Sequence, residues 1–165
     1  EMSVSAKTNQ VEADMIAAMV ERIFRQADRF DYSATVGVIV PYRNQIATVR
    51  NAIDRYGIPA LHSITIDTVE RFQGSQRDYI IYGLTVQRRC QLNFLTDNVF
   101  EEDGTLIDRK LNVAMTRARK HLTIVGNPDI LAGSAVYRRL MDFMKSRGCY
   151  FNVACEKFCA GDFSV

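Results

Sequence analysis

The chain has 165 residues, of which 47% are hydrophobic and 24% charged, and its formal net charge is +2. Such a length and balance give one globular domain with a full-sized core and exclude a disordered or fibrous chain. The near-neutral charge excludes a surface that attracts polyanions as a whole, so any nucleic-acid site is a local patch.

Residues 9–27 are predicted as a helix. Asn9 can cap it with Glu12 as the reciprocal capping-box partner, and Ile16, Met19, Val20, Ile23, Phe24 and Ala27 recur at helical spacing. Residues 35–40 carry the run Val-Gly-Val-Ile-Val, expected of a strand covered on both faces, and Pro41 stops it. Residues 45–56 return to the helical period through Ile46, Val49 and Ile53, until Gly57 and Pro59 end them. A short strand is predicted at 63–68, a polar loop containing Gly74 at 71–78, and a further strand at 79–86. Residues 87–109 read as irregular, with a turn at Asp103-Gly104. Residues 108–119 are predicted as a short helix with Leu111, Met115, Ala118 and Leu122 on its inner side, and 122–125 as a buried strand. Asn127-Pro128 opens a last helical region with Val136, Leu140, Phe143 and Met144 inward.

Strands and helices therefore alternate, with crossovers long enough to bring each strand back parallel to the last. The expected fold is α/β in three layers, a mostly parallel sheet with helices on both faces. It forms a single domain over 1–165, with its core at about 9–148 and a tail at 149–165.

No apolar run approaches the roughly 18 residues of a membrane span. No basic segment precedes an apolar stretch at the start, so no signal peptide is predicted, and the polar opening at Glu1 suggests a piece of a longer protein. Cys90, Cys149, Cys155 and Cys159 contain no C-x-x-C pair, although Cys155 and Cys159 are spaced to share a helix face. With both histidines far off in sequence, no metal is expected, and reduced thiols suit a cytoplasmic protein. His62 and His121 stand in no recognisable nucleophile motif, so a stand-alone hydrolytic enzyme finds no support.

In an open α/β sheet, ligands collect at the carboxyl ends of the strands. Three polar segments are expected there: Pro41-Tyr42-Arg43-Asn44-Gln45, Thr68 to Asp78, and Asn112 to Arg119. Arg117 and Arg119 can each present a fork to two phosphate oxygens; they also suit solvated helix charges. Gly74 permits a positive φ and close backbone approach to a phosphate, or a routine turn with Phe72 as its anchor. Thr68 and Gln73 can donate to phosphate or ribose, or satisfy neighbouring backbone groups. Tyr42 can stack on a base or pack at a strand end.

Taken jointly, these segments resemble the second RecA-like domain of superfamily 1 helicases, nearest the Upf-like and replication helicase–nuclease-like group. Motif IV of that family, a strand followed by Pro-Tyr and a Gln, is matched by Val40-Pro41-Tyr42-Arg43-Asn44-Gln45. Motif V is matched by Ile66-Asp67-Thr68-Val69-Glu70-Arg71-Phe72-Gln73-Gly74-Ser75-Gln76-Arg77-Asp78. Motif VI is matched by Leu111 to Arg119 and, beyond the next strand, Gly126-Asn127. The resemblance implies a RecA-like, P-loop NTPase fold that lacks its own P-loop, since no G-x-x-x-x-G-K-[ST] occurs in the chain.

It further implies the C-terminal motor domain of an ATP-dependent DNA or RNA helicase. Arg117 would be the arginine finger, reaching the γ-phosphate across an interdomain cleft. Tyr42, Arg43, Gln45, Gly74, Gln76 and Arg119 would lie at the ATP. Thr68, Val69, Gln73 and Asn112 would follow the nucleic acid, with Asn112 also bracing motif VI against motif V. Gln76 stands where the family commonly has an acidic residue, and Ile46 where some relatives have an arginine. ATP and Mg2+ are then expected in the parent protein, held mainly by a first RecA-like domain before Glu1; none is expected in this chain alone, which would be inactive by itself. The expected partners are that N-terminal domain and a single nucleic-acid strand, DNA favoured over RNA. The alternative is a noncatalytic RecA-like module that binds nucleic acid or protein.

Overall fold

The apolar run at residues 36–40 becomes the central strand β1 (Val36–Val40), and all five of its residues are buried. The computed structural model describes residues 7–72 and 75–162. Before β1 stands α1 (Gln10–Gln26). After it come α2 (Arg43–Asp54), a 3-10 turn at Pro59–Leu61, β2 (Thr65–Thr68) and β3 (Arg77–Gly83). There follow α3 (Arg89–Leu95), the hairpin β4 (Val99–Glu102) and β5 (Thr105–Asp108), α4 (Arg109–Arg117) and β6 (Ala118–Val125). The chain then forms α5 (Pro128–Leu131), α6 (Ala135–Ser146) and α7 (Cys155–Ala160). The main sheet is parallel throughout, in the order β2-β1-β3-β6.

Strand alternation distributes the core over two layers. Val36, Val38, Val40 and Ile81 face Ala13, Ile16, Ala17 and Val20 of α1 and Val49, Ala52 and Ile53 of α2. Ile39, Ile80, Tyr82 and Leu84 face Leu111 and Ala114 of α4 and Tyr137 of α6. Each large side chain removed from water in this way stabilises the fold by about 1.5–3 kcal/mol. The expected three-layer α/β architecture is the one observed.

Among the described residues, the crossing from β2 to β3 carries no helix. Its Val69 and Phe72 lie in the second apolar layer directly against the sheet. Gly37 of β1 makes this possible: a Cβ there would fall 2.6 Å from Phe72 Cζ. The segment turns at once after β2, with Phe72 N donating to Thr68 O at 2.9 Å, and sets the Phe72 ring over β1.

Four expectations are corrected. Asn9 does cap α1, its side chain accepting from Glu12 N at 3.1 Å, but Glu12 does not return the bond. Its carboxyl turns inward and accepts from Thr85 N at 2.7 Å, while Asn9 N donates to Gln45 Oε1. Residues 87–109 are not irregular; they form α3 and an antiparallel hairpin whose turn does fall at Asp103-Gly104, both with positive φ. β6 is an edge strand with only Val125 buried, its charged Arg119 and Lys120 blunting the edge. The inner stripes also shift. Met115 is 51% and Phe143 55% exposed, whereas Ala114 and Tyr137 are fully buried in their place, because each helix docks rotated from its best local apolar arc.

Candidate functional site

Gln76, just before β3, and the end of α4 meet at the amino edge of the sheet. Gln76 Nε2 donates to Thr116 O at 3.1 Å, so the segment that enters β3 is tied to the segment that enters β6. Arg77 and Ala118 then sit side by side as the first paired residues of those strands. Arg77 is buried and organises the loop: it donates to Gln76 O at 2.9 Å, Ser75 Oγ at 3.2 Å and Thr65 Oγ1 at 3.0 Å, over the ring of Phe72. Burial, with Arg119 nearby, pulls its pKa below that of a free guanidinium.

Three further cations line this edge. Arg119 Nε and Lys120 Nζ share Asp78, at 2.9 and 3.1 Å, and Arg119 also donates to Ala34 O at 2.9 Å. Burial alone would raise the Asp78 carboxyl; the hydrogen bonds and charges of Lys120 and Arg119 outweigh it, so its pKa is lowered. Arg117, the last residue of α4, differs from Arg119 and Lys120 and shares with Arg77 an unpartnered Nε. It is partly buried, its Nε is buried without a hydrogen-bond partner, and its guanidinium makes no ion pair among the described residues. A buried guanidinium N–H without an acceptor is costly, so Arg117 is a cation with donor capacity left for a ligand. The helix that carries it is fixed at its other end by Asp108, whose Oδ1 accepts from Leu111 N at 3.0 Å.

At the carboxyl edge, the same sheet is closed by its own side chains. Gln45 is completely buried, and its amide clasps Asn9 at both ends: Oε1 accepts from Asn9 N at 2.8 Å and Nε2 donates to Asn9 O at 2.9 Å. Tyr42 is buried and stacks on Phe94 of α3, ring centroids 4.8 Å apart. Glu12 fills the space against the end of β3. Gly83 leaves room for it, since a Cβ there would fall 2.7 Å from Glu12 Oε1. Burial pushes the Glu12 carboxyl up to about 8, although the Thr85 hydrogen bond pulls the other way. Thr68 and Val69, at the end of β2, are both buried, and Thr68 O accepts from Phe72 N at 2.9 Å. Arg43 and Asn44 are exposed.

Over residues 1–129 the sequence matches the family described as AAA domain. It is 33% identical over 141 residues to Helicase sen1 of Schizosaccharomyces pombe, covering 84% of this chain and 8% of that protein. It is 31% identical over 154 residues to Helicase SEN1 of Saccharomyces cerevisiae, covering 92% of this chain and 6% of that one. With a Regulator of nonsense transcripts 1 homolog of Neurospora crassa it shares 29% over 145 residues, 86% of this chain and 12% of the relative. It is a member of the AAA domain family, the second RecA-like domain of a Upf-like superfamily 1 helicase. The chain thus spans between 6% and 12% of the length of these relatives.

The helicase domain does not gather its motif residues in one place. All three segments were expected at the carboxyl edge. Gln76, Arg117 and Arg119 instead lie at the amino edge, and Tyr42, Arg43, Gln45, Thr68 and Val69 at the carboxyl edge, roughly 15 Å away along a five-residue strand. The physical reason is the route of the chain: α4 must deliver its C-terminus to the start of a parallel β6, and the crossing from β2 must deliver Gln76 to the start of β3. Asn112 is exposed and its side chain makes no hydrogen bond among the described residues; the contact between motifs V and VI is the amide of Gln76. Gln73 and Gly74 lie outside the described residues. Arg77, Asp78 and Glu12 were not singled out from sequence. The hint for Arg77 is a cation placed at the start of an apolar strand; the local signal of Glu12 pointed to a helix cap and not to Thr85, which is 73 residues away.

Proposed function

We propose that this domain is the second motor lobe of an ATP-driven helicase. From the amino edge of its sheet it supplies Arg117 to the γ-phosphate of an ATP held, with Mg2+, mainly by a preceding RecA-like domain. The observation that carries this reading is the contrast among neighbouring cations. Arg119 and Lys120 share the Asp78 carboxylate within the lobe, while Arg117 has no ion pair among the described residues and a buried Nε without an acceptor. A guanidinium held on a capped helix and offered to a second lobe makes hydrolysis depend on closure of the two lobes. Gln76 lies beside Thr116 and so moves with Arg117; its amide suits a ribose hydroxyl or phosphate oxygen that a carboxylate would meet in relatives. Arg119 would reach a phosphate only by leaving Asp78, so its role here is to fix the start of β6.

The nucleic-acid track is assigned to the opposite edge, where Arg43 is exposed beside the buried turn of Thr68 and Val69. Gln45 and Tyr42 act there as internal supports, since both are buried in contacts with the domain's own chain. The proposal is for a single strand as a class. The DNA preference expected from the sequence has no contact behind it, and backbone recognition by an arginine serves either kind.

Arg117→Ala in the parent protein tests the reading. Nucleic-acid-stimulated ATP hydrolysis should fall by about 10³-fold or more, while ATP affinity changes only a few-fold. Turnover near the wild-type rate would remove the arginine-finger role.

A further inference from the structure

Away from both edges, α7 lies across α1. Phe158 is buried there, Arg22 packs over its ring and donates to its carbonyl, and Cys155 Sγ donates to Val11 O. On this seated helix, Cys155 and Cys159 stand one turn apart with their sulfurs 3.7 Å from each other. Cys159 also lines a groove of about 310 Å³ with Asp14, Ala17, Ala52, Arg55 and Tyr56. Neither thiol is part of a disulfide, and no step of the motor reading uses them.

Three occupants of a close dithiol can be told apart by geometry. A direct disulfide needs Cβ atoms about 3.8 Å apart, whereas residues four apart on a helix hold them about 5–6 Å apart, so oxidation would have to unwind α7. A zinc ion fits the spacing, since two bonds of about 2.3 Å at a tetrahedral angle span roughly 3.8 Å. Structural zinc, however, takes four ligands, and no group of three or more His, Cys, Asp or Glu suited to a metal occurs among the described residues. A trivalent organoarsenical needs two sulfurs only, its third bond being to carbon, and one inserted atom closes the gap without disturbing the helix.

We propose that Cys155 and Cys159 form a two-thiol receptor for trivalent organoarsenicals, whose occupation bridges the two positions one turn apart on α7. The reaction balances as an exchange with no change of oxidation state. An arsenoxide R–As=O meets the two thiols, two As–S bonds form, the arsenic–oxygen bond breaks, and both thiol protons leave on that oxygen as water. Cys159 is the exposed member and meets the arsenic first. Cys155, whose pKa burial and the neighbouring thiol push up to about 12, delivers its proton during ring closure.

Phenylarsine oxide is the probe. By intact-mass titration, the wild-type protein should take up one equivalent more than Cys159→Ser, and that equivalent should survive excess monothiol but be removed by dimercaptopropanol. Cys155→Ser should lose the same equivalent; Cys90→Ser and Cys149→Ser should keep it. Because the sulfurs are preorganised, the native protein should bind it at least about tenfold more tightly than the guanidinium-unfolded chain. Equal uptake by wild type and Cys159→Ser overturns the site, and equal affinity of native and unfolded chains overturns the preorganisation. Should Cys155→Ser melt early through its loss of contact with Val11, the exposed Cys159→Ser variant decides alone.

Discussion

The two ends of this parallel sheet are built on opposite plans. The carboxyl edge, where α/β folds usually receive ligands, is plugged by the domain's own Glu12, Gln45 and Tyr42, all buried. The amino edge carries Arg117, Arg119 and Lys120 at or beside the surface, with a single carboxylate, Asp78, facing two of them. Burial explains the difference. The Glu12 and Gln45 side chains at the first edge are hydrogen-bonded inside the chain, so they confer rigidity, although the Tyr42 hydroxyl there has no partner; at the second edge Arg117 has no ion pair among the described residues, so it is able to act on something outside.

The largest expected effect sharpens the second half of that contrast. Beyond the loss expected for Arg117→Ala, Arg117→Lys retains the charge but not the planar fork. Its ATP turnover in the parent should also fall by at least about tenfold; full activity would show that charge alone suffices and that the unpartnered Nε has no role.

The closed edge is tested next through pH. Burial lifts the Glu12 carboxyl from its ordinary 4.5 to about 8 in the folded chain. Below the lower value both folded and unfolded chains hold the proton and folding bears no charge penalty. As pH rises through this window the unfolded chain releases the proton first, so stability should fall by about 1.4 kcal/mol per pH unit and level off above the folded pKa. Glu12→Gln keeps an acceptor for Thr85 N and should flatten that decline in urea midpoints measured from pH 5 to pH 9. An unchanged slope would show that Glu12 is not the group responsible. Smaller again is Gln45→Ala, which leaves both polar groups of Asn9 without their partner and should cost about 1–3 kcal/mol by denaturant unfolding. A neutral result would mean that water replaces the clasp and that this edge is open to solvent. Smallest is Arg43→Ala. Single-strand affinity of the parent should drop only a few-fold, with the salt slope reduced by about 1, and an unchanged slope would move the track away from this edge.

Much of the architecture was legible from neighbours a few residues apart. The apolar run at 36–40, the Asn9 cap and the turn at Asp103-Gly104 each report a local geometry, and each is where it was expected. The motif residues were legible as kinds of side chain, cationic or amide, but not as a place. Glu12 shows why: four residues of context make it a capping-box partner, whereas the structure makes it the plug of a gap beside Thr85. Met115 fits the local apolar arc of α4 and yet is half exposed, because the sheet selects the arc that contains Ala114.

By itself, then, the sequence determined the alternation of strands and helices, the parallel sheet and the family, because periodicity, caps and contiguous motifs are properties of short stretches of chain. Only the tertiary structure decided that Arg117 and Gln76 share one edge while Tyr42, Gln45 and Thr68 share the other. That choice depends on strand order and on which end of α4 feeds β6, and contacts over tens of residues set both.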